Sequence, residues 1–286
     1  MKKLLCVGLS LLLVLSLFAG CEQKPETPTG TTVNKPANPV LRCSTTTSVN
    51  DSKLMAMLEP LFEAETGYDL QITSNGTGAA IKLGETGDAD VILVHAKASE
   101  EEFIANGFGI KRIPFMFNFF VIVGPKDDPA GVKGSASAAD ALKKISEKGS
   151  KLVSRGDDSG THKKELALWK AAGIEPKAET DKWYISAGKG MGDCLNMANE
   201  SGAYVLTDKG TYLSMKANLE NLEIVLNESD DMKNTYSLIA CNPEKNAGLN
   251  TEGANAFIEW MTKKETLDKI AEFGISQYGE ALFFVE

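Results

Sequence analysis

The chain has 286 residues, 43% of them hydrophobic and 24% charged, with a formal net charge of −9 at pH 7. That is enough apolar material for a sizeable core and enough length for two lobes, which excludes a disordered chain. An acidic chain with no Lys/Arg stripe is a poor nucleic-acid binder, but a local field can still hold a small anion.

Residues 1–20 stand apart from the fold. Lys2 and Lys3 precede an apolar run to Leu17, followed by Phe18-Ala19-Gly20-Cys21. This is the layout of a secretory signal, too short and wrongly flanked for a membrane span. Cysteine directly after Ala-Gly resembles a bacterial lipobox, which implies that Cys21 becomes the first mature residue and carries a lipid. Residues 21–39 then read as an extended tether, rich in proline and threonine and nearly devoid of apolar side chains. The expected location is extracytoplasmic, with the chain anchored to the membrane as a lipoprotein. No later segment is apolar enough to cross a bilayer.

The spacing of strands and helices then alternates. A strand is predicted over Val40–Thr45, with Leu54, Met57, Leu58, Leu61 and Phe62 giving an amphipathic helix to Thr66. Strand Tyr68–Thr73, helix Ala79–Glu85, strand Asp90–Val94 and helix Glu100–Asn106 follow, with Gly107 as a stop. This is the pattern of an α/β sheet with mostly parallel strands. Ile113 to Gly124 is long, apolar and aromatic, and Asn118–Val123 reads as a strand crossing to a second lobe. There the order is helix Ala138–Lys148 capped by Ser137 and Asp140, strand Lys151–Ser154, helix His162–Ala172, strand Trp183–Ser186, helix Asp193–Glu200 and strand Ala203–Leu206. Thr235–Cys241 reads as the return crossing, and helices Glu252–Met261 and Glu265–Phe273 pack back on the first lobe. The expected organisation is lobe 1 from residues 40–120 and 240–286, lobe 2 from residues 121–239, and a hinged cleft between them.

Four strand-to-helix loops are rich in small hydrogen-bond donors. They are Thr46-Thr47-Ser48, Gly76-Thr77, Arg155 to Thr161, and Gly190-Met191. Such loops fall at the carboxyl ends of strands, where α/β sheets hold ligands. Free N–H groups and the positive end of a helix suit an anion there. Ser159 and Thr161 add hydroxyls, Gly160 allows close approach, and Arg155 supplies a permanent charge with a planar donor fork. Arg42 and Arg112 are placed outside the cleft. Of the five cysteines, Cys43, Cys194 and Cys241 belong to the folded body. Their spacing fits no metal motif, and an odd count prevents complete internal pairing. Buried free thiols are expected, with Cys43 and Cys241 as candidate neighbours.

Taken with the lipobox-like Cys21, Thr-Thr-Thr-Ser after the first strand and Ser-Arg-Gly-Asp-Asp-Ser-Gly-Thr-His at Ser154–His162 resemble the tungstate-binding proteins of bacterial ABC importers. Asp90–Ala96 and Thr207–Thr211 are similar to the same family. The resemblance implies a two-lobed periplasmic-binding-protein-like (type II) fold. It also implies an oxyanion ligand, tungstate or molybdate, an ABC permease as partner, and a monomer without cofactor or free metal cation. Thr46, Thr47, Ser48, Arg155, Ser159 and Thr161 would touch the oxyanion, and Asp157 would orient Arg155. Phosphate-binding proteins share a related Arg-x-Asp-x-Ser-Gly-Thr loop, so phosphate is the alternative. Tungstate and molybdate are fully deprotonated at neutral pH and need donors only, whereas hydrogen phosphate needs an acceptor. Asp157 and Asp158 are the candidate acceptors, and His95 reads as a polar residue at a strand end.

A remote alternative is a serine hydrolase using Ser159 with His95 or His162. The turn lacks the Gly-x-Ser-x-Gly elbow, and Arg155 beside Ser159 suits an anion better than a base. No phosphate-binding Gly-x-x-x-x-Gly-Lys motif is present. The expectation is a binding protein and not an enzyme.

Overall fold

The computed structural model describes residues 35–286. The signal segment, Cys21 and the tether up to residue 34 lie outside these. The chain begins with β1 (Val40–Thr46), α1 (Thr47–Asp51), α2 (Leu54–Thr66), β2 (Asp69–Asn75), α3 (Thr77–Thr86), β3 (Val91–Val94) and α4 (Lys97–Ala105). It continues through β4 (Ile113–Pro125), α5 (Ala138–Lys148), β5 (Leu152–Ser154), α6 (Gly160–Ala171), β6 (Tyr184–Ser186), α7 (Met191–Ser201), β7 (Tyr204–Asp208) and α8 (Lys209–Met215). Last come β8 (Leu222–Leu226), β9 (Lys233–Ala240), α9 (Thr251–Thr262), α10 (Lys264–Glu272), α11 (Ile275–Tyr278) and β10 (Phe284–Val285).

The sheet order is β2-β1-β3-β9-β4-β7-β5-β6, with β8 and β10 also on β4. The outer groups are parallel, as expected: β1 with β2 and β3, and β5 with β6 and β7. The centre is not. β9 runs antiparallel to β3 and β4, and β4 runs antiparallel to β7 and β8. The reason is topological. One strand carries the chain out of the first group and the other carries it back, so they must run opposite ways. β4 is a single strand of 13 residues that serves both groups. Ile113–Phe119 pairs with β9, and Phe120–Pro125 pairs with β7 and β8. The ladder shifts between Pro114 and Met116, next to a residue with no N–H to donate.

Helices cover both faces of each group. Leu41, Phe62, Phe257 and Trp260 form one apolar cluster, and Ile81, Ile92 and Phe103 another. Around the second group, Ile122, Leu142, Trp169 and Tyr204 pack together, as do Val121, Val153, Cys194 and Tyr212. Cys43, Cys194 and Cys241 are buried and free. Local signals set several boundaries. Ser137 accepts from the N–H of Asp140 at the start of α5, and Gly149 ends the helix in the left-handed region. The structure adds α8 and β8 where the sequence suggests no element, and it starts α3, α4 and α6 two or three residues early. Among the described residues no helix is long and apolar enough to cross a membrane.

Candidate functional site

The donor loops sit where strands meet helices. Thr46 is the last residue of β1 and is buried, and Thr47 opens α1. Thr46 Oγ1 lies 3.1 Å from Ser48 Oγ, which lies 3.2 Å from His95 Nε2. His95 follows β3, and its Nδ1 is 2.9 Å from Asn234 Oδ1. The Asn234 amide nitrogen donates to Asn118 Oδ1 (2.8 Å) and to the Tyr236 hydroxyl (3.0 Å). With its nitrogen committed there, Asn234 turns its oxygen to the ring. His95 is therefore assigned its proton on Nδ1 and presents Nε2 as an acceptor to Ser48. Burial pushes His95 down to about 4, with the Asn234 bond opposing, so the ring is neutral at pH 7. His95 was read as a strand-end residue. Its network was missed because it joins two strands far apart in the chain.

Thr77 opens α3 after the extended Gly76. Its side chain is fully buried, and Oγ1 has no hydrogen-bond partner. Leaving a buried hydroxyl unpaired costs about 1–3 kcal/mol, so this group is poised for a partner.

The β5–α6 loop carries the charge. Arg155 Nη2 donates to Asp157 Oδ2 at 2.6 Å, and the N–H of Ser159 donates to Asp157 Oδ1 at 3.2 Å. Burial works against the Asp157 carboxylate. Its bonds to Ser159 and the Arg155 guanidinium still hold it below the usual carboxylate range. The Arg155 side chain is only 10% exposed, and its Nε is buried without a partner. Ser159 caps α6 by accepting from the N–H of His162 at 3.2 Å, and its hydroxyl also supports the Asp157 carboxylate. Thr161, also buried, follows two residues after Ser159.

Gly160 brings this loop against the first group of strands. A Cβ there would lie 2.6 Å from His95 Cε1 and 3.0 Å from Thr77 Oγ1, so only glycine permits the approach. The β6–α7 loop is tied in through Lys189 N–H to Arg155 O (3.2 Å). Gly190 precedes α7 with no side-chain cap. Met191 is the first residue of α7. Its side chain is buried in the apolar cluster with Val153 and Cys194, so only its backbone is offered at the helix start.

Acceptors are few. Asp157 is engaged, and Asp158 is exposed beside Lys163 at 3.6 Å. Arg42 lies away from these loops, paired with Asp90 at 2.6 Å. Arg112 corrects the sequence reading. It lines a cavity of about 620 Å³ that also includes His95 and Gly160. Among the described residues no group of three His, Cys, Asp or Glu could hold a metal ion.

A family profile described as a PBP superfamily domain matches residues 25–265. The tungstate-binding protein TupA of Peptoclostridium acidaminophilum is 45% identical over 99% of this chain and 98% of its own. A tungstate-binding protein TupA from Desulfovibrio alaskensis superposes with a TM-score of 0.77 at 42% identity, covering 87% of this chain and 99% of that one. The tungstate ABC transporter structure from Geobacter sulfurreducens gives a TM-score of 0.75 at 45% identity, over 83% of this chain and 100% of that one.

Proposed function

Because the chain belongs to the PBP superfamily and, within it, to the family of the tungstate-binding proteins, we propose that it is the solute-binding component of an ABC importer. It captures tungstate, or molybdate, outside the cytoplasm and delivers it to a membrane permease. Thr46, Thr47, Gly76 and Thr77 contribute from lobe 1, together with Ser48 through its backbone N–H, since its hydroxyl proton goes to His95. Arg155, Ser159, Gly160, Thr161 and the backbone at Gly190 and Met191 contribute from lobe 2. Cys21 carries the lipid that keeps the protein at the membrane.

One observation carries the reading. Two buried donors, Arg155 Nε and Thr77 Oγ1, lack any partner among the described residues. They belong to loops in contact through Gly160, and the carboxylate beside Arg155 is already used. A fully deprotonated dianion fits such a set, whereas hydrogen phosphate would need a free acceptor. A hydrogen bond to a charged group contributes about 1.5–3 kcal/mol. Six such bonds amount to roughly 9–18 kcal/mol, which brackets the roughly 12 kcal/mol of nanomolar binding, and at the upper end leaves room for desolvation and closure.

Ser48, His95 and Asn234 lie in the order of a hydrolase triad. The chemistry argues against that use. A ring with a pKa near 4 is a weak base, and a neutral amide does not stabilise the imidazolium that acyl transfer requires. Calorimetry with tungstate, molybdate, sulfate and phosphate at pH 7 tests the proposal. Tungstate or molybdate should bind far more tightly than the other two. Phosphate binding more tightly than both would transfer the chain to the phosphate alternative.

A further inference from the structure

Five basic side chains gather around one cavity on this acidic chain. The charged lining of the cavity of about 620 Å³ beside the donor loops is Lys97, Arg112, Lys163, Lys164 and Lys233, with Glu286 as its one acid. Four of the basic groups have carboxylate partners. Lys97 lies 3.7 Å from Glu101, Arg112 2.5 Å from Glu100, Lys163 3.6 Å from Asp158 and Lys233 3.0 Å from Glu286. Lys164 makes no ion pair among the described residues, and its ammonium donates to the carbonyl of Lys233 at 3.4 Å. Burial pushes the Lys164 pKa below its ordinary value, with the more distant Asp231 opposing. A partly desolvated ammonium facing a cavity is stabilised by any anion that arrives beside it. The opposite wall adds to the field, since α4 starts there without a side-chain cap and Lys97 to Ser99 line the cavity.

The volume corresponds to about twenty waters at roughly 30 Å³ each, far more than one tetrahedral oxyanion fills. Such a space collects charge and does not select by shape. It shares His95 and Gly160 with the donor loops, so their contact stands at the edge of the cavity nearest those loops.

We propose that this cavity is an antechamber, a second and weaker oxyanion site in which Lys164 first holds the dianion before it passes His95 and Gly160 into the pocket. The proposal rests on the oxyanion-binding reading above. Clefts with an excess of one sign of charge, here carried by Lys164, unpaired among the described residues, raise association rates, by up to about 10- to 1,000-fold where the excess is large, and the gain falls with salt.

The test is the association rate of tungstate by stopped-flow fluorescence at low and high salt. Lys164→Gln should slow association about five-fold at low salt, and Lys164→Glu should slow it further. Both differences should shrink to under about two-fold at 1 M salt, where the Debye length is about 3 Å. Lys170→Gln removes the same charge from the exposed face of the same helix and should change the rate by less than about two-fold. Equal rates for the parent and Lys164→Gln at low salt would overturn the antechamber, as would equal slowing by Lys170→Gln. A parent chain that binds no tungstate would instead overturn the functional reading and the antechamber with it.

Discussion

Arg155 is the residue on which ligand affinity should depend most. Removing one partner of a buried charge pair costs about 3–5 kcal/mol, and Arg155→Ala also leaves Asp157 as an unpaired acid beside the ligand. Calorimetry should show two to four decades of lost tungstate affinity, as a 1.4 kcal/mol change is about tenfold. Arg155→Lys should restore only part, because an ammonium cannot present a planar fork. Thr77→Val should separate function from stability. It removes a hydroxyl that has no partner in the folded chain, so the unfolding midpoint should hold or rise. Tungstate affinity should fall by about 1.5–3 kcal/mol. A lower midpoint with unchanged affinity would show that the hydroxyl is structural.

His95 and Glu165 make opposite demands on pH. The folded His95 sits at about 4 against an ordinary 6.5, so the unfolded chain binds more protons and stability is lost as pH falls from 6.5 towards 4. Glu165 is buried beside Trp169 and Tyr184, and burial pushes its carboxyl up to about 7. The folded chain then binds more protons, and stability is lost as pH rises from 4.5 through 7. Across pH 4.5–6.5 the two slopes oppose each other, so the parent conceals both. Subtracting His95→Gln from the parent isolates the histidine. The stability difference should shrink by up to roughly 3 kcal/mol between pH 6.5 and 4, measured by denaturant titration. A difference that stays constant with pH would contradict the neutral, buried ring.

At the scale of elements, the strand-to-helix loops were legible because their chemistry is local. The Ser137 cap follows from a few adjacent residues, whereas the need for glycine at 156 depends on a neighbour thirty positions away. Gly156 has a φ of 61°, and a Cβ there would meet Ser186 Oγ at 2.1 Å. The network at His95 was not legible, since Asn234 stands 139 residues away. The missed β8 is a short apolar run, Leu-Glu-Ile-Val-Leu, whose strand character comes from pairing with β4 and not from its own periodicity. Gly160→Ala tests the loop contact directly. The methyl would sit 2.6 Å from His95 Cε1, so α6 must retreat from β3 or the ring must move. Overpacking of this kind costs about 1–3 kcal/mol. Tungstate binding should weaken about ten-fold or more while circular dichroism stays unchanged, and parent-like affinity would show that the contact is dispensable.

For the whole molecule, alternating strands and helices announced an α/β sheet, and the apolar stretch at Ile113–Gly124 announced the crossing. The antiparallel centre followed only from how β4 and β9 share the sheet, which periodicity does not encode. The two groups meet at the loops around Gly160, His95 and Thr77, and buried donors there lack partners. An anion between them would favour this arrangement over an open one. Small-angle scattering should therefore give a smaller radius of gyration with tungstate than without, and an unchanged radius would mean that the groups do not move on binding. The most direct measurement is anomalous diffraction at the tungsten edge from crystals grown with tungstate. The account predicts a tungsten peak whose oxygens lie within hydrogen-bond distance of Arg155 Nε and Thr77 Oγ1. A bound tungsten away from both atoms, or none at saturating tungstate, would contradict it.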